Sequence, residues 1–111
     1  MKYLCLVYGP APHANPGLAA EADAYEDDLR RRGHLLAAHT LGDAWASATV
    51  RVREGGLRVD DGPCAATESQ LDGYYLIEAR DLNEAIRLAS RNPAARLGSI
   101  EVRLVRESNL P

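Results

Sequence analysis

The chain has 111 residues with 13 Lys and Arg against 16 Asp and Glu, a net charge of −3. This length predicts one domain, residues 1–106, followed by a frayed tail, residues 107–111. An acidic balance argues against a nucleic-acid footprint, which needs a basic excess. Apolar residues make up 46% of the chain, with five Tyr, one Trp and no Phe, so aliphatics and Ala must fill most of the core.

Residues 3–8 (YLCLVY) form a continuous apolar run, which suits a central strand. Cys5 within it reads as a small buried hydrophobe. Residues 9–17 hold three Pro and two Gly and read as a loop. Residues 18–32 read as a helix with Leu18, Ala22, Tyr25 and Leu29 on one face and Glu21, Asp23, Glu26, Asp27 and Asp28 on the wet side. Gly33 ends it, and Arg30, Arg31 and Arg32 complement its dipole.

Residues 34–41 (HLLAAHTL) are the next strand candidate. Residues 49–53 alternate, with Val50 and Val52 on one face and Arg51 and Arg53 on the other. Glu54-Gly55-Gly56 is a tight hairpin turn, and residues 57–59 return as a short strand. Asp61-Gly62-Pro63 forces a further turn, and residues 65–70 have room for a helical turn. Residues 74–79 form another strand. Asp81 and Glu84 have the spacing of a capping box before a helix striped by Leu82, Ala85, Ile86 and Ala89, which Asn92-Pro93 stops. Residues 100–105 alternate as a closing strand. The order predicts an α+β fold: a ferredoxin-like split β-α-β with an extra β-hairpin, its helices on one face of an antiparallel sheet. By analogy with small proteins of this plan, a second copy covers the other face, giving a homodimeric α/β barrel.

The first strand (residues 1–9), the helix end and second strand at Leu29-Arg30-Arg31-Arg32-Gly33-His34-Leu35-Leu36, residues 48–53, the ending at residues 93–96 and 98–103, and above all Asp61-Gly62-Pro63 with Leu71-Asp72-Gly73-Tyr74-Tyr75 resemble the YCII-related family. The resemblance runs nearly the whole length and is most specific in its Asp-Gly-Pro-Phe signature. That Phe is Cys64 here. The resemblance implies the dimeric α/β-barrel fold and divides the function between two classes: members include a lyase-like enzyme that removes chloride from a small acidic substrate, and proteins called regulatory. Members with a proposed catalytic pair carry a His on the first helix, and residues 18–32 contain none, so that pair does not transfer.

The residues themselves offer other candidates. His39 brings an imidazole, the side-chain type suited to a general base at physiological pH; its alternative is a packed histidine at a strand end. Asp61 is its natural orienting carboxylate, or it serves the amides of its own turn. Cys64 is either a nucleophilic thiol at a helical N-terminus or a small residue that enlarges a cleft. Arg51, which shares a sheet face with Arg53, offers a guanidinium to an anion, or the two stand as a solvated edge pair. Tyr8 and Tyr75 sit at strand ends, where a phenol packs by its ring and still donates a proton. Trp45 suits a pocket wall or a dimer anchor. No phosphate loop, zinc spacing or nucleophile elbow is present. The expectation is therefore a cytoplasmic homodimer without cofactor or metal, binding neither nucleic acid nor membrane. It performs acid–base elimination, isomerisation or rearrangement on a small anionic or aromatic molecule, with His39 and Asp61 catalytic and Tyr8, Trp45, Arg51, Cys64 and Tyr75 contacting substrate. The alternative is a non-catalytic accessory or regulatory dimer that holds a ligand.

Overall fold

The computed structural model describes residues 1–10, 15–65 and 69–107. Its elements run β1 (Lys2–Tyr8), α1 (Pro16–Arg31), β2 (Leu35–Thr40), a 3-10 turn (Ala44–Ala46), β3 (Ala48–Arg53), β4 (Gly56–Asp61), β5 (Leu71–Glu78), α2 (Leu82–Ser90), α3 (Ala94–Leu97) and β6 (Ser99–Leu104). Four strands form an antiparallel sheet in the order β2-β5-β1-β6. This α+β arrangement is compatible with the ferredoxin-like plan. β3 and β4 form a separate two-stranded sheet. The helical turn expected over residues 65–70 and the end of the expected tail fall partly outside the described residues.

One face of the sheet packs on the helices. Tyr3, Cys5 and Val7 of β1 and Ile77 of β5 are buried there with Leu29 of α1 and Ala85, Leu88 and Ala89 of α2. The alternation along β1 puts Leu4, Leu6 and Tyr8 on the other face. Tyr74 and Leu76 of β5 join them through the pairs Leu6↔Tyr74 and Leu4↔Leu76. Among the described residues no layer covers this face. The molecule is only 18 Å thick, room for one sheet and one helical layer.

Helix α1 starts where Asn15 accepts the Gly17 amide through its side chain, and ends at Gly33, whose φ of +78° admits the left-handed cap. The expected face is right: Ala22 and Leu29 are buried and Tyr25 is half-buried. Its arginines pair along the helix, Arg30 with Asp27 at 3.1 Å and Arg32 with Asp28 at 3.8 Å. Asp81 caps α2 by accepting the Glu84 amide at 2.8 Å, while the Glu84 carboxylate accepts the Arg80 amide at 3.0 Å. The stripe expected on α2 is rotated: Ala85, Leu88 and Ala89 are buried, but Leu82 and Ile86 are exposed. Two alanines against the sheet let α2 approach closely, which turns the bulkier pair outward. Pro93 stops α2, and a short α3 follows that the sequence pattern did not suggest.

The β3–β4 arm turns at Glu54 and Gly55, whose φ values of 52° and 79° give the mirror-image turn that matches strand twist. It departs from the end of the sheet where β2 stops and β5 begins. The radius of gyration, 16.0 Å, exceeds the roughly 13 Å of a compact chain this long, because the arm projects.

Candidate functional site

The turn that leaves the arm is built by the Asp-Gly-Pro segment. Gly62 is buried with a φ of +97°, and a Cβ there would lie 3.6 Å from the Trp45 ring. Its amide donates to the Ser47 carbonyl at 2.7 Å, and its carbonyl accepts the Thr49 hydroxyl at 2.9 Å. Asp43 accepts the Trp45 amide at 2.9 Å and starts the 3-10 turn beneath. The motif thus locks the root of the arm, with Trp45 packed against its glycine.

A pocket of about 630 Å³ opens at this root. Tyr8, Leu41, Ala44, Pro63, Cys64 and Leu71 line it, with Asp43, Ser47 and Gln70 among the polar groups. Small-molecule sites span about 300–1,000 Å³ and are mostly apolar with a few polar groups, so this pocket has the right size and lining. Arg51 Nη2 lies 3.7 Å from Cys64 Sγ. The Asp60 carboxylate takes Arg51 at 3.2 Å and Arg58 at 3.0 Å, so two guanidiniums share one carboxylate, with Asp61 at the end of the same strand and Asp43 in the pocket wall.

A second cavity, about 110 Å³, lies on the helix side of the sheet. Asp23 and Glu26 of α1, Thr40 of β2, Asp72 and Tyr75 of β5, and Asn92 line it. Burial raises the Tyr75 phenol above its ordinary range, and the Glu26 charge raises it further, against a lowering by its bond to Asn92. Asn92 is buried and its Oδ1 accepts the Ala94 amide at 2.9 Å. Tyr25 meets Tyr75 edge to face at 5.7 Å, and its hydroxyl donates to the Leu88 carbonyl at 2.7 Å. Burial pushes the Tyr25 phenol up strongly. At 110 Å³ this space holds a few waters or a very small group.

The structure therefore divides the residues the sequence singled out. Tyr8 and Cys64 share the root pocket, Arg51 touches it through Cys64, and Trp45 lies beside it against Gly62. Tyr75 belongs to the helix-side cavity instead. His39 borders that cavity, and its ring leans on that of its strand partner Tyr74, with centroids 5.6 Å apart. Asp61 ends β4 opposite Ala48. Among the described residues no hydrogen bond or ion pair joins His39 to Asp61. His34 Nδ1 lies 2.9 Å from the Glu78 carbonyl oxygen, which explains it as a strand-end contact.

Several lining residues went unnoticed in the sequence. Asp23 and Glu26, three apart, flank the apolar stripe of α1; that spacing was the available signal. Asn92 reads locally as a helix stop, and nothing near it in the chain announces its burial. Leu41 and Leu71 meet only because the arm's two ends are brought together.

Residues 1–109 match the YCII-related domain. The chain belongs to that family. It is 45% identical over 62 residues to "Uncharacterized protein R00369" of Rhizobium meliloti (strain 1021), a match covering 52% of this chain and 48% of that protein. The chain thus spans about half the length of the curated relative it matches. No helix among the described residues is long and apolar enough to cross a membrane.

Proposed function

We propose that this YCII-related protein is a cytoplasmic homodimer that binds a small, largely apolar molecule, aromatic or weakly anionic, in the root pocket. The pocket's volume and apolar lining carry this reading. Tyr8 supplies a ring with a hydroxyl, and Arg51 gives an anionic group a cation at the Cys64 wall. Two free cysteines, one exposed, suit a reducing compartment. Cys64 acts here as the small residue that keeps the pocket open, where the resembled signature has Phe. Cys64→Phe tests this: it should lower affinity for an aromatic anion such as salicylate by at least about 10-fold, a loss of roughly 1.4 kcal/mol. Unchanged affinity would remove the pocket from consideration.

A second reading adds cofactor-free acid–base chemistry with His39 as base and Asp61 as the carboxylate that orients it. One observation favours it: the exposed His39 ring stands beside Tyr74 on the same sheet face as Tyr8. Because the pair is not joined within one chain, this chemistry requires a second subunit to bring a carboxylate to His39. Turnover of any substrate that survives His39→Ala would end this second reading and leave the first intact.

A further inference from the structure

Trp45 is the one tryptophan of the chain, and it is 63% exposed. Tryptophan is a highly buried residue on average, yet here the local structure holds it at the surface. Asp43 accepts the Trp45 amide through its side chain at 2.9 Å, and the Asp43 carbonyl accepts the Ala46 amide at 3.0 Å. The six-membered ring of the indole rests on Gly62, where a Cβ would lie 3.6 Å from Cε3 and 3.8 Å from Cζ3. The φ of +97° at Gly62 favours glycine, so the seat of the indole is part of the Asp-Gly-Pro turn.

The indole forms one wall of a cavity of about 300 Å³. This cavity shares residues 41–44 and 70–71 with the root pocket, adds Gly9, Pro10, Trp45 and Asp72, and lacks Tyr8, Pro63 and Cys64. Backbone bonds tie its three segments together: the Gly9 amide donates to the Gln70 carbonyl at 3.0 Å, and the Leu41 amide to the Asp72 carbonyl at 2.7 Å. Asp43 and Asp72 are the charged residues of the lining, and among the described residues no Lys, Arg or His joins them. Pro10, Leu41 and Leu71 supply apolar surface.

An indole is the strongest aromatic face for a cation, and a carboxylate at its base adds an opposite charge. An anion in the same space would face two like charges. A compact ammonium of the lysine kind is strongly hydrated and loses that hydration on entering. A quaternary ammonium has no N–H groups to leave unpaired, and its methyl groups can meet the proline and the leucines. We propose that this cavity binds a small quaternary ammonium compound, with the cation on the Trp45 indole and the Asp43 carboxylate beside it. The site takes the opposite ligand charge from the root pocket and stands without that reading.

Choline is the probe, and its neutral carbon isostere 3,3-dimethylbutan-1-ol is the control. The emission of the full chain at constant ionic strength reads the site directly, because Trp45 is the one tryptophan. Choline should change the emission saturably, with half-saturation on the order of 1 mM, and the alcohol should bind at least about 5-fold more weakly. Asp43→Asn keeps a side-chain oxygen for the Trp45 amide and removes the charge. It should weaken choline binding at least about 3-fold with the far-ultraviolet spectrum retained. Trp45→Leu, followed by saturation-transfer resonance on the choline methyl groups, should lose the binding. The absence of a saturable choline response overturns the site. Equal binding of the alcohol, or an Asp43→Asn variant that binds choline as well as the wild type, overturns the cationic ligand. Choline binding that survives Trp45→Leu overturns the role of the indole.

Discussion

Gly73→Ala should destabilise the protein, although glycine within a strand ordinarily gains from becoming alanine. That ordinary gain is about 0.5–1 kcal/mol, because Ala loses less freedom on folding. At Gly73 the added Cβ would sit 2.7 Å from the His39 carbonyl oxygen, 3.3 Å from Thr40 Cα and 3.6 Å from the His39 carbonyl carbon. All three are backbone atoms, so no side chain can rotate away. β2 is an edge strand held by β5 alone, and it must shift by roughly half an ångström to restore contact distance. Overpacking of this kind costs about 1–3 kcal/mol. In a chain this size that lowers Tm by about 4–12 °C. Thermal unfolding followed by circular dichroism measures it. Gly42→Ala is the control: among the described residues a Cβ there meets nothing within 4 Å, so Tm should hardly move. An unchanged or raised Tm for Gly73→Ala would refute the close approach of β2 to β5.

Burial pushes the Cys5 thiol up from 9.0 to about 11. The folded state favours the neutral thiol, so its contribution is full below pH 9 and is lost as pH rises toward 11, about 2–3 kcal/mol in all. Tyr25 and Tyr75, also raised by burial, extend the loss at higher pH. Denaturant unfolding between pH 8 and 11 should therefore show a steeper decline for the wild type than for Cys5→Ala; parallel curves would contradict the assignment. Tyr25→Phe keeps the ring contact with Tyr75 but removes the bond to the Leu88 carbonyl, and should cost about 1 kcal/mol in urea unfolding. Asp81→Ala removes the α2 cap and should cost about 0.5–2 kcal/mol in the same assay, with Asp81→Asn retaining most of it.

What the sequence disclosed follows from what is local. The apolar run of β1, the glycine-ended α1 and the Glu54-Gly55 turn each carry their own instructions within a few residues, and each forms nearly where those instructions place it. The alternation of Val50 and Val52 against Arg51 and Arg53 predicted a two-faced hairpin; it could not say that the apolar face would stay uncovered. Non-local facts were hidden. The sequence groups Tyr75 with Tyr8, yet the pairing of Cys5 with Tyr75 puts Tyr75 on the helix side of the sheet, while Tyr8 faces the other way. The rotation of α2 depends on how close Ala85 and Ala89 come to the strands, which its stripe does not encode. The root pocket exists because a loop after β2 and a loop before β5 meet at the base of one arm, and only the pairing of distant strands decides that.

The root pocket is the centre of the account, and the amide spectrum of the full chain titrated with salicylate tests it most directly. The account predicts saturable shifts confined to the pocket wall, at Tyr8, Leu41, Ala44, Cys64 and Leu71, and loss of those shifts in Cys64→Phe. Shifts centred instead on Asp23, Glu26, Tyr75 and Asn92, or no saturable shifts at all, would contradict it.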